Sequence, residues 1–386
     1  MYNIYYPDRE IVVKSSEHIL LNALGGQLES LDLIDKPTND CFGYTIDVAL
    51  ERGVGDVRVL VGGLSGEGEP PPELRRTFQI EGRPVKIGAE GQPRQVSFLR
   101  FEPYEGGVTI TGSLAPGDDP VKVVGKRALR KYNIPEQWLR DQMVGRQPTR
   151  AYLPAQSYGG GFDIDACRAL AKMACNLFAL THRDIFLRAD FDPIRRFVAD
   201  GAGHSPDFVV PNADLVDITA NGRAMGPLDH LLLIRGHAET GRVEALVALY
   251  GHLQFVIRLG QTALPLGRGN ILLSYRVDQI GYAERRDHMD DLSLVVPNFE
   301  SSRSRNGITT TVATQGWRTI FSEIWQQQCN GRMAEIVTEC AAELFPGCVL
   351  SELSDDQIGQ LTDLAIRRYK EDFQALMAAQ QQGSGV

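Results

Sequence analysis

The sequence predicts an α+β fold, in which strands and helices occupy separate stretches of the chain. In residues 76–113 apolar and polar side chains alternate between glycines and prolines, a pattern typical of antiparallel strands. Residues 230–235 and 243–259 are apolar runs on either side of a polar turn, and they predict two or three more strands. Residues 163–182 instead carry an apolar stripe at helical spacing. Strands and helices that cluster rather than alternate favour the α+β class.

The clearest helical pattern is that of residues 163–182. Its apolar side chains recur every three or four residues, and Asp163 can cap the first turn. The stripe consists of Cys167, Leu170, Ala171, Ala174, Leu177 and Phe178. Further helices are predicted for residues 126–143, 191–198, 317–344 and 354–379.

Composition describes an ordinary globular chain that is longer than one typical domain. The 386 residues are 43% apolar and 23% charged. The longest apolar stretch is interrupted by charged and polar residues, so it does not predict a membrane span. The first ten residues lack the basic and apolar segments of a secretion signal. The six cysteines have no paired spacing, which is typical of reduced thiols. We therefore expect a cytoplasmic protein without a membrane partner.

The net charge of −9 argues against strong nonspecific binding of nucleic acid. Affinity for duplex DNA comes largely from cations that neutralise phosphates, whereas residues 1–55 hold four lysines and arginines against nine aspartates and glutamates. The cations for DNA binding would have to come from a metal, from a partner or from elsewhere in the chain. Two basic stretches are candidates, although a solvated face is the commoner explanation for each. They contain Lys122, Lys126, Arg127, Arg130 and Lys131, and Arg285, Arg286, Arg303 and Arg305.

Glu17 and His18 stand shortly before a Gly-Gly turn, and Asn39 follows in a stretch with helical character. This order of residues is the layout that a one-metal phosphodiesterase needs. Carboxylate and amide oxygens are hard ligands, suited to one Mg²⁺ or Mn²⁺ that keeps most of its waters. His18 would activate the attacking water, because an unperturbed imidazole titrates near pH 6.5. A Glu-His pair beside two glycines also arises by chance, so the surrounding residues decide whether this pair indicates a functional site.

Residues 15–50 resemble the HNH endonuclease superfamily. The resemblance is to the branch that has Glu-His-Ile, a Gly-Gly turn, Cys-x-x-Cys-Asn, Phe-Gly and Ile-Asp in this order. It implies a ββα-metal module in which His18 is the general base and Glu17 and Asn39 are ligands of one Mg²⁺ or Mn²⁺. The matching positions are Glu17-His18-Ile19, Gly25-Gly26, Asn39, Phe42-Gly43 and Ile46-Asp47.

The chain departs from this branch in its cysteines. Relatives carry two Cys-x-x-Cys pairs that bind a structural Zn²⁺, whereas no cysteine precedes Cys41 here and residues 35–38 stand in place of the second pair. Ser30 and Asp32 occupy the region where relatives have the middle asparagine of the family name. We therefore expect no structural zinc, and packing must hold the module together. A degenerate, inactive module remains an alternative.

Shifts in composition predict three parts. Residues 1–55 would form the HNH-like nuclease module, residues 56–150 a β-rich middle region with a linker helix, and residues 151–386 an α+β C-terminal domain. The complete expected fold is an N-terminal ββα-metal module followed by a larger mixed α+β region with an antiparallel sheet and C-terminal helices.

The predicted function is a metal-dependent endonuclease that hydrolyses phosphodiester bonds in DNA. Bacterial antiphage defence is one setting for it, with the C-terminal domain as the sensor of a ligand or phage component. The alternative is a catalytically inactive HNH-like module that acts as a DNA- or protein-binding subunit. DNA, a protein partner and a further copy of the chain are the expected binding partners.

Overall fold

The computed structural model groups the chain into two compact units. Unit 1 comprises Met1–Pro72 and Tyr158–Glu323, and unit 2 comprises Glu73–Ser157 and Ile324–Val386. The N-terminal segment therefore belongs to the same unit as much of the predicted C-terminal domain. The residues that the structure describes are 1–73, 78–80, 83–87, 93–104, 107–114, 118–142, 162–212, 228–262, 271–278, 283–287, 299–304 and 309–383.

The α+β class predicted from the sequence is confirmed, since the described residues form both helices and antiparallel sheets. None of these helices has the length and apolarity to cross a membrane. The strands are β1 (Glu17–His18), β2 (Glu29–Ser30), β3 (Phe78–Ile80), β4 (Arg83–Ile87), β5 (Pro93–Gln95), β6 (Phe98–Tyr104), β7 (Gly107–Ser113), β8 (Val209–Pro211), β9 (His230–Gly236), β10 (Arg242–Leu249), β11 (Leu253–Gln261), β12 (Ile271–Val277) and β13 (Ala283–Asp287). The helices are α1 (Lys36–Phe42), α2 (Val48–Val61), α3 (Pro120–Val124), α4 (Lys126–Lys131), α5 (Glu136–Gln142), α6 (Ile164–Phe186), α7 (Asp192–Asp200), α8 (Phe299–Ser304), α9 (Thr309–Leu344) and α10 (Asp355–Gly383).

Unit 1 is built on a six-stranded antiparallel sheet in the order β13-β12-β9-β10-β11-β8. Strands β9 and β10 are buried at nearly every position, which explains why their sequences are continuous apolar runs rather than alternating ones. The two predicted runs form three strands, because a tight turn divides the second run. Tyr250 and Gly251 make this turn with φ angles of 48° and 66°.

Helix α6 packs on this sheet and on α2. It begins as predicted, since the Asp163 carboxylate accepts a hydrogen bond from the Ala166 amide at 2.8 Å and caps the first turn. Five of the six residues of the apolar stripe are buried, with Leu170 and Leu177 inaccessible to solvent, whereas Cys167 is partly exposed. Two polar residues of the same helix, Lys172 and Asn176, are equally buried.

The N-terminal segment of unit 1 has a small hairpin, β1–β2, followed by helix α1. The helix begins at Lys36, earlier than the predicted start near Asn39. The reason is local, because the Asp35 carboxylate caps the helix by accepting the Thr38 amide at 2.9 Å, and Pro37 lies in the first turn. A π-type segment, Gly43–Asp47, then leads directly into α2, so the predicted boundary at residue 55 falls inside a helix.

Unit 2 contains strands where the sequence predicts them, but its helices begin and end at other residues than predicted. The sheet β3-β4-β5 and the hairpin β6–β7 account for the alternating pattern. The single helix predicted over residues 126–143 is wrong. The chain forms α4 and α5 instead, because Asn133 has a φ of 54° and Pro135 cannot continue the first helix. Helices α9 and α10 pack through Ile336, Cys340, Leu361 and Ala365.

The burial of α6 leads to a first prediction. We expect Leu177→Ala to lower the free energy of unfolding by ~2–5 kcal/mol, because the side chain is 0% exposed and its loss leaves a cavity. Urea denaturation followed by circular dichroism measures the change. Ile164→Ala on the same helix is the control and should cost much less, since Ile164 is 45% exposed. Equal effects at the two positions would contradict the predicted packing.

The second prediction concerns the buried His230 and the pH dependence of stability. Burial lowers the pKa of His230 to about 3. The unfolded chain binds a proton at this residue below pH ~6.5, while the folded chain stays neutral there, so stability falls as the pH decreases from 6.5 towards 3. We expect a contribution of ~1 kcal/mol per pH unit that His230→Gln removes. Denaturation between pH 4 and 7 tests this, with the exposed His204→Gln as control. An unchanged pH slope in His230→Gln would refute it.

Candidate functional site

The predicted site residues lie on the hairpin β1–β2 and on α1. Glu17 and His18 form β1, where Glu17 is the cross-strand partner of Ser30 and His18 that of Glu29. Neighbouring residues of a strand point to opposite sides. Accordingly, the Glu17 side chain is buried in unit 1, whereas His18 is only half-buried. The general base and the first metal ligand implied by the resemblance therefore leave the hairpin in different directions.

The Glu17 carboxylate contacts helix α6 inside unit 1. Lys172 Nζ lies 2.7 Å from Glu17 Oε1, and the Glu17 side chain is 2% exposed. Asn176 Nδ2 donates a hydrogen bond to the same oxygen at 2.7 Å. Lys172 and Asn176 are one helical turn apart, so both reach the carboxylate from one face of α6. The charge of Glu17 is thus compensated by residues of this chain.

Lys172 has a second carboxylate partner, Asp47. Its Nζ donates a hydrogen bond to Asp47 Oδ2 at 2.8 Å, and the lysine side chain is 1% exposed. Asp47 ends the π-type segment between α1 and α2, which places it opposite α6. Burial by itself lowers the pKa of Lys172, but Asp47 and Glu17 outweigh burial and raise the pKa above its usual value. The side chain is therefore a buried ammonium.

Tyr5 and Asn176 extend the hydrogen bonding around this ion group. The Tyr5 hydroxyl donates to Asn176 Oδ1 at 2.8 Å, which orients the Asn176 amide towards Glu17. The Tyr5 ring packs edge-on against Phe42, with ring centroids 5.3 Å apart. Burial, together with the neighbouring acidic groups, raises the pKa of Tyr5 and keeps the phenol a donor. We call the following residues the Lys172 network: Tyr5, Glu17, Asp47, Lys172 and Asn176.

His18 has different surroundings on the outer side of the hairpin. Its Nε2 lies 2.8 Å from Glu29 Oε1, and the side chain is 23% exposed. The Ser16 hydroxyl donates to the other oxygen of Glu29. Burial lowers the pKa of His18 and outweighs the Glu29 carboxylate, which acts in the opposite direction. The result favours a neutral imidazole that a carboxylate orients and that solvent reaches.

Asn39 lies on α1 with its side chain against the start of β1. Its Nδ2 donates to Ser15 Oγ at 2.8 Å and to the Ser16 carbonyl at 2.9 Å. These bonds attach α1 to the segment immediately before Glu17. The structure therefore brings Asn39 to the segment just before β1, while the Glu17 carboxylate points to α6.

The arrangement does not fit the Mg²⁺ or Mn²⁺ site that the sequence predicts. Mg²⁺ keeps several waters and needs open coordination positions. The Glu17 carboxylate instead contacts a buried ammonium and an amide donor. Within the described residues, no three or more His, Cys, Asp and Glu side chains form a group that could hold a metal ion. Glu17 thus lacks the surroundings of a ligand to solvated Mg²⁺, and the roles of His18 and Asn39 stay predictions.

The sequence contains one signal for the Lys172 network that our prediction did not use. Lys172 interrupts the apolar stretch Ala171-Lys172-Met173-Ala174 in the middle of the clearest helix. Lysine is almost never fully buried unless it is paired. A lysine at this position therefore indicates a buried carboxylate partner, although it does not identify Glu17 or Asp47.

No family model matches this chain, and no match was found among the curated proteins or the solved structures. The candidate site is accordingly described from its own residues and their geometry.

A third prediction concerns the stability of the Lys172 network. We expect Lys172→Met to lower the free energy of unfolding by ~3–5 kcal/mol, because the substitution leaves two carboxylates buried without their cation. Chemical denaturation of the full chain measures this. The triple variant Glu17→Gln/Asp47→Asn/Lys172→Met removes all three charges and should recover part of the loss. A triple variant less stable than Lys172→Met would contradict the ion-pair explanation.

Proposed function

We propose that the N-terminal segment is an HNH-like module that does not cleave DNA and that serves as a binding subunit. One observation carries this proposal. The Glu17 carboxylate, the metal ligand implied by the resemblance, accepts Lys172 Nζ and Asn176 Nδ2 at 2.7 Å each in the interior. A carboxylate in these surroundings does not face a solvated metal ion or a DNA phosphate. The metal-dependent cleavage step therefore lacks one of its expected groups.

A protein is the partner that the surface of this segment favours. The excess of acidic residues in residues 1–55 opposes contact with the phosphates of DNA. The same segment carries large apolar side chains in solvent, with Val12 83% and Tyr44 85% exposed, and with Val13 and Leu31 more than half exposed. A partner protein that covers these side chains would remove their apolar surface from water. We therefore favour a protein over DNA as the binding partner.

The metal-dependent endonuclease predicted from the sequence is the second candidate, and His18 favours it. The imidazole is partly exposed, lies 2.8 Å from Glu29 Oε1 and has a lowered pKa because of burial. A neutral histidine that a carboxylate orients is suited to accept a proton from water. The proposed setting in antiphage defence belongs to this candidate.

The fourth prediction is the outcome of a nicking assay, which distinguishes the binding subunit from the endonuclease. The full chain is incubated with supercoiled plasmid in MgCl₂ or MnCl₂, next to His18→Ala. The proposal expects both proteins to leave the plasmid supercoiled, at the background seen with EDTA. The endonuclease candidate expects nicking that falls ~10²–10⁴-fold in His18→Ala, since general-base assistance is commonly worth that much.

Two controls make the result decisive. Circular dichroism must show that His18→Ala keeps the wild-type fold. A gel shift with a labelled duplex at physiological salt tests the partner, and the proposal expects no shift. A shift that EDTA leaves intact would change the partner to DNA. Metal-dependent nicking by the wild-type chain that His18→Ala abolishes would overturn the proposal and support the endonuclease.

A further inference from the structure

We propose that the central sheet of unit 1 carries a binding site for one inorganic phosphate ion. Arg242 and Arg258 bind its anionic oxygens, and Glu244 accepts a hydrogen bond from its P–O–H group. The site lies on β10 and β11 and uses no residue of the Lys172 network. It therefore goes beyond the proposed binding function of the N-terminal segment and does not depend on it.

A small polar cavity lies at the end of the sheet, where β10 begins and β11 ends. Its volume is about 40 Å³. A cavity needs roughly 10–15 Å³ to hold one water, so this one has room for about three waters or one small oxyanion. The residues that line it are Arg242, Glu244, Arg258, Gly260, Gln261 and Glu300.

Strand pairing places the charged side chains on one face of the sheet. Glu244 on β10 is the cross-strand partner of Arg258 on β11 and of Arg235 on β9. Residues directly opposite each other point to the same face. Arg242 stands two residues before Glu244 and lines the same cavity. The register shifts between Val243 and Glu244, and such bulges are over-represented next to functional sites.

Positive charge on this face exceeds what the neighbouring carboxylates compensate. Arg258 Nη1 lies 3.5 Å from Glu300 Oε1. Among the described residues, no carboxylate lies within ion-pair distance of Arg235 or Arg242, and the buried Arg235 Nε has no hydrogen-bond partner there. The nearby His237 responds to this charge, because burial and then Arg235 and Arg242 lower its pKa. An anion would compensate these cations.

The Glu244 carboxylate determines which anion fits. The residue is 4% exposed, and its Oε1 accepts a hydrogen bond from the Phe299 amide at 3.4 Å. Burial raises the pKa of Glu244, while the Phe299 amide, Arg242 and Arg258 act against burial. A carboxylate repels an anion without a proton, but it accepts a hydrogen bond from a P–O–H group.

Three oxyanions differ in this proton at neutral pH. Inorganic phosphate keeps its last proton throughout the neutral range. Sulfate has none, and a phosphate monoester loses its last proton with a pKa of about 6. Arginines around a buried carboxylate therefore favour inorganic phosphate over sulfate and over a phosphate monoester.

The test is isothermal titration calorimetry of the full chain in chloride buffer of constant ionic strength at pH ~7.5, where a monoester has lost its proton. The probes are potassium phosphate, potassium sulfate and glycerol 3-phosphate. We expect close to one bound phosphate per chain. The other two anions should bind at least ~10-fold more weakly, because each leaves the Glu244 carboxylate facing an anion without a hydrogen bond.

Three variants assign the binding to these residues. Arg242→Gln should weaken phosphate binding at least ~10-fold, because it removes a charge-assisted hydrogen bond. Arg52→Gln, an exposed arginine on α2, is the matched control and should bind as the wild type does. Glu244→Gln should reduce the preference for phosphate over sulfate, because a glutamine amide can donate to either anion. Circular dichroism checks that each variant keeps the wild-type fold.

The proposal fails if the wild-type chain binds phosphate with a Kd weaker than ~1 mM. Sulfate or glycerol 3-phosphate bound as tightly as phosphate would overturn it too, as would equal losses in Arg52→Gln and Arg242→Gln. If Glu244→Gln does not fold, the three anions on the wild-type chain and the pair of arginine variants still decide the outcome.

Discussion

The Lys172 ammonium between Glu17 and Asp47 is the interaction on which the N-terminal part of the protein depends. The Glu17 and Lys172 side chains are at most 2% exposed and that of Asp47 is 13% exposed, so these charged groups have lost most of their contact with water. The desolvation of these groups costs several kcal/mol per ion and is offset only while all partners are present. One ion group thus ties the hairpin and the α1–α2 segment to helix α6.

Other contacts reinforce this attachment. The Tyr275 hydroxyl on β12 accepts hydrogen bonds from the Gln27 and Leu28 amides, both at 3.0 Å, in the connection between β1 and β2. A Cβ on Gly25 would approach Val277 to 3.1 Å, which indicates close packing on the same strand. Because β1 and β2 hold only two residues each, the hairpin gains its order from α6 and the sheet. The N-terminal segment is therefore part of unit 1.

The same constraint separates the two residues that an HNH-like site would use together. Glu17 is turned inwards by its partners on α6, and the alternation of the strand turns His18 outwards to Glu29. Asn39 meanwhile uses its amide nitrogen to hold the backbone before β1. Glu17 therefore serves the packing of unit 1, whereas His18 stays on the outer side of the hairpin. This separation of Glu17 from His18 is the physical reason for proposing a binding function rather than DNA cleavage.

The sequence by itself determined what depends on neighbours along the chain. The stripe that includes Leu170 and Leu177 predicted α6, and continuous apolar runs predicted the central strands, because periodicity and turns are local. Local rules also explain the early start of α1 at the Asp35 cap and the break at Pro135, although our prediction missed both. Only the tertiary structure decided the partner of Glu17. Lys172 approaches it through the packing of α6 on the hairpin, and no local pattern encodes which carboxylate a distant lysine meets.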